Sequence, residues 1–336
     1  MMKRLFISEE KDFWYCLTEN RCFQLSLLMK ARPADNVSLE GFCLDGKGNP
    51  HLFIVSEQRL KCCYWNGLAW KTKAVPLIID PVSIYPVFRE GIEQHFLVST
   101  DGNSSYQHYC LTDSGWVTED LFFVENNAAI IAFMPRNREL ALVYLTKSSA
   151  GNRLSVVCFD GRWNDKQQIS LGPLEFCTIA QGCAELLLLF AKEEADGSRV
   201  KIVRMPYKGP AVMEEYCCAF PGNMYKPVLA RVNNAYKVCW TEGGKICLAS
   251  LEPVSYRLGG LLESKIFFPA EIIPLSGKGT EYLAFSAVYG TKLEFPLILK
   301  AEAFEKMMKA HDHTGLNYRL FSRVGHNGSP VRRFYK

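Results

Sequence analysis

Several protein classes are excluded by what this chain lacks. None of its 13 cysteines forms a C-x-x-C pair, so the usual spacing of structural zinc ligands is missing. Apolar runs such as Leu186–Ala191 fall far short of the roughly 18 residues that a membrane-spanning helix needs. The opening MMKRLFISEEKDFW has no apolar core ahead of Glu9–Asp12, which argues against a secretory leader. The G-x-x-x-x-G-K-[ST] order of a phosphate loop is absent. SGKGT (Ser276–Thr280), EGGK (Glu242–Lys245) and DGKG (Asp45–Gly48) read as hairpin turns instead. There is no G-x-S-x-G nucleophile turn. HDH (His311–His313) has no Cys or carboxylate cluster beside it and reads as a solvated segment. These absences predict no cofactor, no metal site and no nameable catalytic residues.

Acidic residues stop at Asp312. Beyond it stand Arg319, Arg323, Arg332, Arg333 and Lys336, five of the 39 basic residues. The other 34 face 35 acids, so the body is close to neutral and the net charge of +4 belongs to the tail. Five positive charges among Phe321, Phe334 and Tyr335 make the tail the one segment with a nucleic-acid character, through phosphate charge and base stacking.

What is present is ordinary globular material, 48% hydrophobic and 22% charged. The cysteine number is odd, and most cysteines sit in apolar runs such as VVCF, YKVCW and KICLA. There a free thiol packs as a small hydrophobe. Reduced thiols in a cytoplasmic protein are the expectation.

Apolar runs recur at near-constant intervals: LFIV (Leu52–Val55), FLV (Phe96–Val98), LALVY (Leu140–Tyr144), LLLLF (Leu186–Phe190), YKVCW (Tyr236–Trp240) and YLAF (Tyr282–Phe285). Successive centres are 43, 45, 46, 50 and 45 residues apart. Each run is followed by a polar turn and a second run. In three units a Gly turn leading to Trp70, Trp116 or Trp163 comes next. A shorter segment precedes each first run, as in IYPVFRE (Ile84–Glu90) and MYKPVLAR (Met224–Arg231). Four short segments rich in β-branched and aromatic residues, in about 46 residues, form a unit of four strands. The first run of each unit is often apolar throughout, so both of its faces are buried. That is odd for an antiparallel strand in a single open sheet. It is expected where each sheet lies between two others.

On these repeats the chain resembles the β-propeller class over residues 1–300. The Gly-His and Trp-Asp landmarks of the WD repeat and the double Gly of kelch are missing, so no single family is matched. The resemblance implies an all-β fold of four-stranded antiparallel blades. Units fall near 40–76, 82–122, 128–170, 175–215, 225–262 and 270–300. Residues 1–35 supply a seventh set, RLFIS, DFWYCL and CFQLSLLM. Seven blades are expected, with six plus a separate N-terminal hairpin as the alternative. The N-terminal strands or NYRLFSRV (Asn317–Val324) would close the ring. The Gly–Trp turn reads as packing, with Gly giving a positive φ and the ring covering the gap to the next blade. AEAFEKMMKAH (Ala301–His311) has helical spacing at Phe304, Met307 and Met308, so residues 301–336 are a short helix and basic tail outside the ring.

The functional expectation is a non-catalytic module that binds a macromolecule, foremost a protein, through loops on one face. The candidate face is Glu57, Lys147, Glu193 and Glu242 in the turns after the second strands, with Tyr85, Arg89, Tyr225 and Arg231 at first-strand ends. The tail arginines Arg319, Arg323, Arg332 and Arg333 form a separate candidate. Two alternatives stand beside it: a carbohydrate-binding propeller, and an enzyme with its site at a central channel.

Overall fold

The structure, a computed structural model, describes residues 2–8, 13–18, 21–26, 38–47, 49–56, 59–75, 83–89, 93–99, 105–112, 115–124, 128–136, 138–164, 166–181, 185–207, 214–220, 222–233, 235–252, 255–263, 270–273, 275–277, 282–287 and 297–310.

The chain begins with three strands, β1 (Met2–Ser8), β2 (Phe13–Thr18) and β3 (Arg21–Ser26). Five four-stranded antiparallel sheets follow in chain order. They are β4 (Ser38–Leu44), β5 (Pro50–Ser56), β6 (Arg59–Trp65) and β7 (Trp70–Ala74); then β8 (Ser83–Arg89), β9 (Glu93–Ser99), β10 (Ser105–Thr112) and β11 (Gly115–Phe123). The third is β12 (Ala128–Arg136), β13 (Glu139–Ser148), β14 (Gly151–Phe159) and β15 (Gln167–Gly172). The fourth is β16 (Glu175–Gln181), β17 (Glu185–Glu194), β18 (Gly197–Pro206) and β19 (Glu214–Phe220). The fifth is β20 (Tyr225–Val232), β21 (Ala235–Glu242), β22 (Lys245–Leu251) and β23 (Leu258–Glu263). The remaining elements are β24 (Ala270–Ile273), β25 (Leu275–Gly277), β26 (Tyr282–Ala287), β27 (Leu297–Lys300) and the helix α1 (Ala301–Ala310).

The sequence units fall on these sheets, and the apolar runs are their second strands. Five sheets, not seven, take the four-stranded antiparallel form. The N-terminal set supplies only three strands, and its fourth, β25, pairs parallel to β1 through Leu5↔Leu275 and Ile7↔Gly277. β24, one residue earlier, pairs instead with β26 and completes a three-stranded sheet with β27. The residue between β24 and β25 in the sequence is Pro274, which has no N–H to continue a ladder. Strands at the two sequence ends of the repeat region thus share one sheet. The alternative closing strand Asn317–Val324 lies outside the described residues.

Burial explains the doubly apolar strands. Leu186–Phe190 of β17 and Leu140–Val143 of β13 are fully buried, each side chain contributing roughly 1.5–3 kcal/mol. One apolar cluster joins the third and fourth sheets through Val143, Leu154, Leu188 and Met205. A second joins the fourth and fifth through Leu187, Ile202, Val238 and Trp240. A third joins the first and second through Phe53, Cys62, Phe96 and Val98. A fourth joins the second and third through Leu97, Tyr106, Leu142 and Tyr144, so each middle sheet is covered on both faces, while the outer strand β7 is left exposed from Lys71 to Ala74.

The Gly–Trp turns are packing devices, with one correction. Gly115 and Gly161 both hold φ of 116°, a conformation open to glycine but costly for other residues. The ring after each turn, however, covers the gap to the preceding sheet rather than the next. Trp116 packs edge-on to Phe96 at 4.6 Å and lies under the Lys73 ammonium of the previous sheet. Trp163 meets His108 of its preceding sheet at 5.5 Å.

Helix α1 follows β27 directly and buries Ala301 and Phe304 against Ile272, Leu283 and Phe285, with Met307 and Met308 on the same cluster. Glu305 is buried with it and accepts a bond from Lys237 Nζ at 3.2 Å.

Candidate functional site

Antiparallel order gives every sheet two distinct ends. We call front the end carrying the turns between second and third strands, and back the end carrying the other turns. Equivalent ends of neighbouring sheets adjoin. At the front, Met224 N donates to Ser198 Oγ (2.9 Å). At the back, Gln94 reaches His51 (3.5 Å), Arg136 Nε donates to Pro206 O (3.2 Å), and Tyr256 OH donates to Glu185 (3.2 Å).

The candidate face divides between these ends. Lys147 pairs with Asn152, Glu193 with Ser198 and Glu242 with Lys245, all at the front. Tyr225, opposite Thr241, and Tyr85, opposite Leu97, lie toward the same end. Arg89, opposite Glu93, and Arg231, opposite Tyr236, lie at the back, because a first strand ends where the second begins. Glu57, Arg319, Arg323, Arg332 and Arg333 lie outside the described residues.

Exposure separates the front residues further. Lys147 and Glu193 are exposed, and Tyr225 is 50% exposed, with Lys226 over its ring. Tyr85 instead packs edge-on to Tyr106 in the core between the second and third sheets. Glu242 is engaged internally. It accepts from Asn223 N at 3.2 Å and from Trp240 Nε1 at 3.5 Å. A Cβ on Gly222 would come within 2.6 Å of its carboxylate. At the back, Arg89 faces Glu93 at 3.6 Å.

The chemistry-bearing side chains collect at the back, where the sequence reading named only Arg89 and Arg231. In the first sheet, Asp45 Oδ1 accepts from Lys47 N and Asn49 N, and its Oδ2 from Asn49 Nδ2. That fixed carboxylate stands 3.8 Å from His51 Nε2. His51 Nδ1 faces Cys62 Sγ at 3.7 Å and Gln94 Nε2 at 3.5 Å. The ring stacks on Tyr64 and meets Phe88 edge-on. Cys62, His51 and Asp45 therefore stand in the order of nucleophile, base and orienting acid.

Burial removes the reactivity that order implies. Cys62 is 3% exposed, and burial pushes its thiol up to about 12. Burial likewise pushes His51 down to about 4, against the pull of Asp45. The pair rests as neutral thiol and neutral imidazole, whereas a catalytic cysteine needs the thiolate. Cys62 S–H and Gln94 N–H serve as donors to His51 Nδ1.

A second histidine chain crosses to the third sheet. His95 Nε2 lies 3.5 Å from Glu93 Oε2, and His95 Nδ1 lies 3.2 Å from His108 Nε2. The network assigns the tautomers: His95 donates from Nε2 to Glu93, and His108 donates from Nε2 to His95. This leaves His108 Nδ1 a bare lone pair, buried and without a hydrogen-bond partner. It is enclosed by Phe133, Phe159 and Trp163. An orphaned acceptor is cheaper there than an orphaned N–H. Burial, then His95, holds His108 down to about 3; burial also lowers His95, with Glu93 opposing.

The fourth and fifth sheets are tied through Glu185, which Arg204 of the same sheet holds by donating from Nε, while its Nη1 donates to Glu214 (2.8 Å). Tyr216 OH donates to Glu214, and Tyr256 OH to Glu185. The two tyrosine rings lie 4.5 Å apart. These bonds raise the Arg204 guanidinium further above its usual range. Among the described residues no group of His, Cys, Asp and Glu converges as metal ligands, and no helix is long and apolar enough to cross a membrane.

The fold that carries this arrangement is all-β and propeller-like. No family model matches the chain, and no curated protein matches it. Solved structures do. Hydrazine synthase of Kuenenia stuttgartiensis aligns with a TM-score of 0.55 at 10% identity, over 89% of this chain and 95% of that one. A prolyl endopeptidase aligns with a TM-score of 0.54 at 10% identity, over 85% of this chain but only 45% of its own length. A protein of unknown function from Desulfotomaculum acetoxidans aligns with a TM-score of 0.50 at 11% identity, over 89% of this chain and 93% of that one. At such identity the likeness is one of fold.

Proposed function

We propose that this chain is a non-catalytic scaffold: a propeller of seven blades, closed by the β25–β1 pair, that binds a protein partner through its front face. The observation that carries the reading is the contrast between the two ends. Every buried nucleophile and base described above is neutral or held inside an intersheet contact at the back. At the front, Lys147, Glu193 and Tyr225 stand exposed on three consecutive sheets. Rigid sheets hold these turns in place, which lowers the ordering cost of binding. Their unlike charges suit one asymmetric partner better than several equal ligands. A repeated sugar site gains little support, since Trp116 and Trp163 are spent between sheets. A reducing, cytoplasmic setting belongs to the same reading and is supported by nine described cysteines that are all free.

The test is differential capture from an extract of the native cell. Wild type is compared with the triple variant Lys147→Glu/Glu193→Lys/Tyr225→Ala and with a chain ending at Ala310. A stoichiometric protein kept by wild type and by the shortened chain but lost by the triple variant supports the front face. Retention by the triple variant rejects it. Loss on shortening moves recognition to the tail, and nuclease treatment then shows whether nucleic acid is involved.

A further inference from the structure

We propose that the free edge of β7 is a second recognition site, which takes an extended acidic segment of a partner protein by β-strand addition. It does not rest on the front-face reading and uses a different surface. β7 is the last strand in the order β4-β5-β6-β7. Alternate residues of such an edge turn their N–H and C=O groups away from β6, toward solvent. The side chains from Lys71 to Ala74 are exposed.

Charge selects the partner. Residues 59–79 contain Arg59, Lys61, Lys71 and Lys73 and no acidic residue. Lys71 and Lys73, two apart on a strand, project to one face. Lys73 is held near the Trp116 ring, 5.7 Å from its centre, while Lys71 and Arg59 form no ion pair among the described residues. The outer strands β19 and β23 differ, because their charges are answered within their own sheets. Glu214 meets Arg204, Glu215 meets Lys201 at 2.7 Å, and Glu263 meets Lys245 at 3.7 Å. Lysines on an edge deter neutral and basic strands from pairing. The same lysines favour a strand with acids at every second position, where cross-strand pairs face one another.

An apolar anchor stands beside this edge. Leu68 is 86% exposed. It is not loosely placed, because Asn66 Oδ1 accepts from Leu68 N and Ala69 N, and Asn66 N donates to Ala69 O. A large side chain held in water by a closed turn, next to an uncompensated basic edge, fits an acidic strand with one apolar residue at its end.

The probe is a fluorescein-labelled octapeptide alternating Glu with Val and ending in Leu, titrated with the full chain and followed by anisotropy. Controls are a Lys/Val peptide, a Glu/Pro peptide of equal charge that cannot form a ladder, and a labelled oligothymidine. The acidic peptide should bind, and salt should weaken it. Lys71→Glu/Lys73→Glu should weaken it about tenfold. Leu68→Ser, a fully surface change, should weaken it several-fold, and decides the matter if the double variant fails to fold. The front-face triple variant should bind the peptide like wild type. No binding at about 1 mM peptide, equal binding of the Glu/Pro peptide, or binding of oligothymidine without the acidic peptide would each overturn the proposal.

Discussion

His108 gives the sharpest prediction. It is held to about 3 in the fold, whereas an unfolded histidine titrates near 6.5. Its folded value is depressed because the charged form is refused, so its contribution is present above pH 6.5 and is lost as pH falls toward 3. Between about pH 6.5 and 4.5 the unfolded histidine goes from half to almost fully protonated while the folded one stays almost bare, which removes about 2 kcal/mol. His51, held to about 4, adds a loss of similar size over the same window. The perturbation is His108→Gln, whose amide can still reach His95 Nδ1 but does not titrate. The assay is the urea midpoint, read by tryptophan fluorescence at half-unit pH steps. The variant starts less stable at neutral pH, but its profile should be flatter by about 2 kcal/mol across the window. Asp45, Cys62, Arg89, Glu93, His95 and Cys110 face these rings in both chains, so the difference isolates His108. Parallel profiles would refute the assignment, and His51→Gln repeats the test at an independent ring.

Three further outcomes are expected. Phe304→Ala removes the fully buried anchor of α1 and should cost about 3–4 kcal/mol by urea denaturation, with loss of helical circular dichroism. Gly222→Ala should push the Glu242 carboxylate from its bond to Asn223 N and cost about 1–2 kcal/mol, and a shift in thermal midpoint checks it. Cys217 is exposed while Cys62 is buried, so Cys217→Ser should remove one fast-reacting thiol in a disulfide-exchange assay and Cys62→Ser should not.

The strands were legible because their signal is periodic and local. Each second strand is a short apolar run between turns, and the interval repeats. The helix was legible for the same reason, from Phe304, Met307 and Met308. What escaped was whatever depends on which strands share an end. Arg89 and Tyr85 are four residues apart in one strand, yet they belong to opposite faces. The back-face cluster was illegible for a related reason. Asp45, His51, Cys62 and Gln94 come from two sheets and four segments, so no spacing announces them. One signal exists: His51 and His95 occupy nearly the same place in their repeats, and a recurring position favours a structural role over a unique site. The Glu185 tie is similar, since Glu185 and Tyr256 are 71 residues apart.

The division between ends also says where substitutions should act. Back-face polar groups are committed across sheet boundaries: Gln94 to His51, Arg136 to Pro206 O, Tyr256 to the Glu185 carboxylate that Arg204 also binds. Truncating one leaves a buried partner unsatisfied, so such changes should appear first as lost stability. Apart from the bond of Met224 N to Ser198 Oγ, front-face turns satisfy themselves locally, as Ser148 Oγ does to Gly151 O and Arg199 to Glu194. Changes at Lys147 or Glu193 strand no buried group and should leave stability nearly unchanged. The Leu68 turn sits at the back yet behaves like the front, because Asn66 closes it without help from another sheet. A surface that can vary without harming the fold is where a scaffold can acquire a partner. By that criterion the free positions are the front turns and the head of β7, and a substitution there that lowered stability without touching binding would count against both.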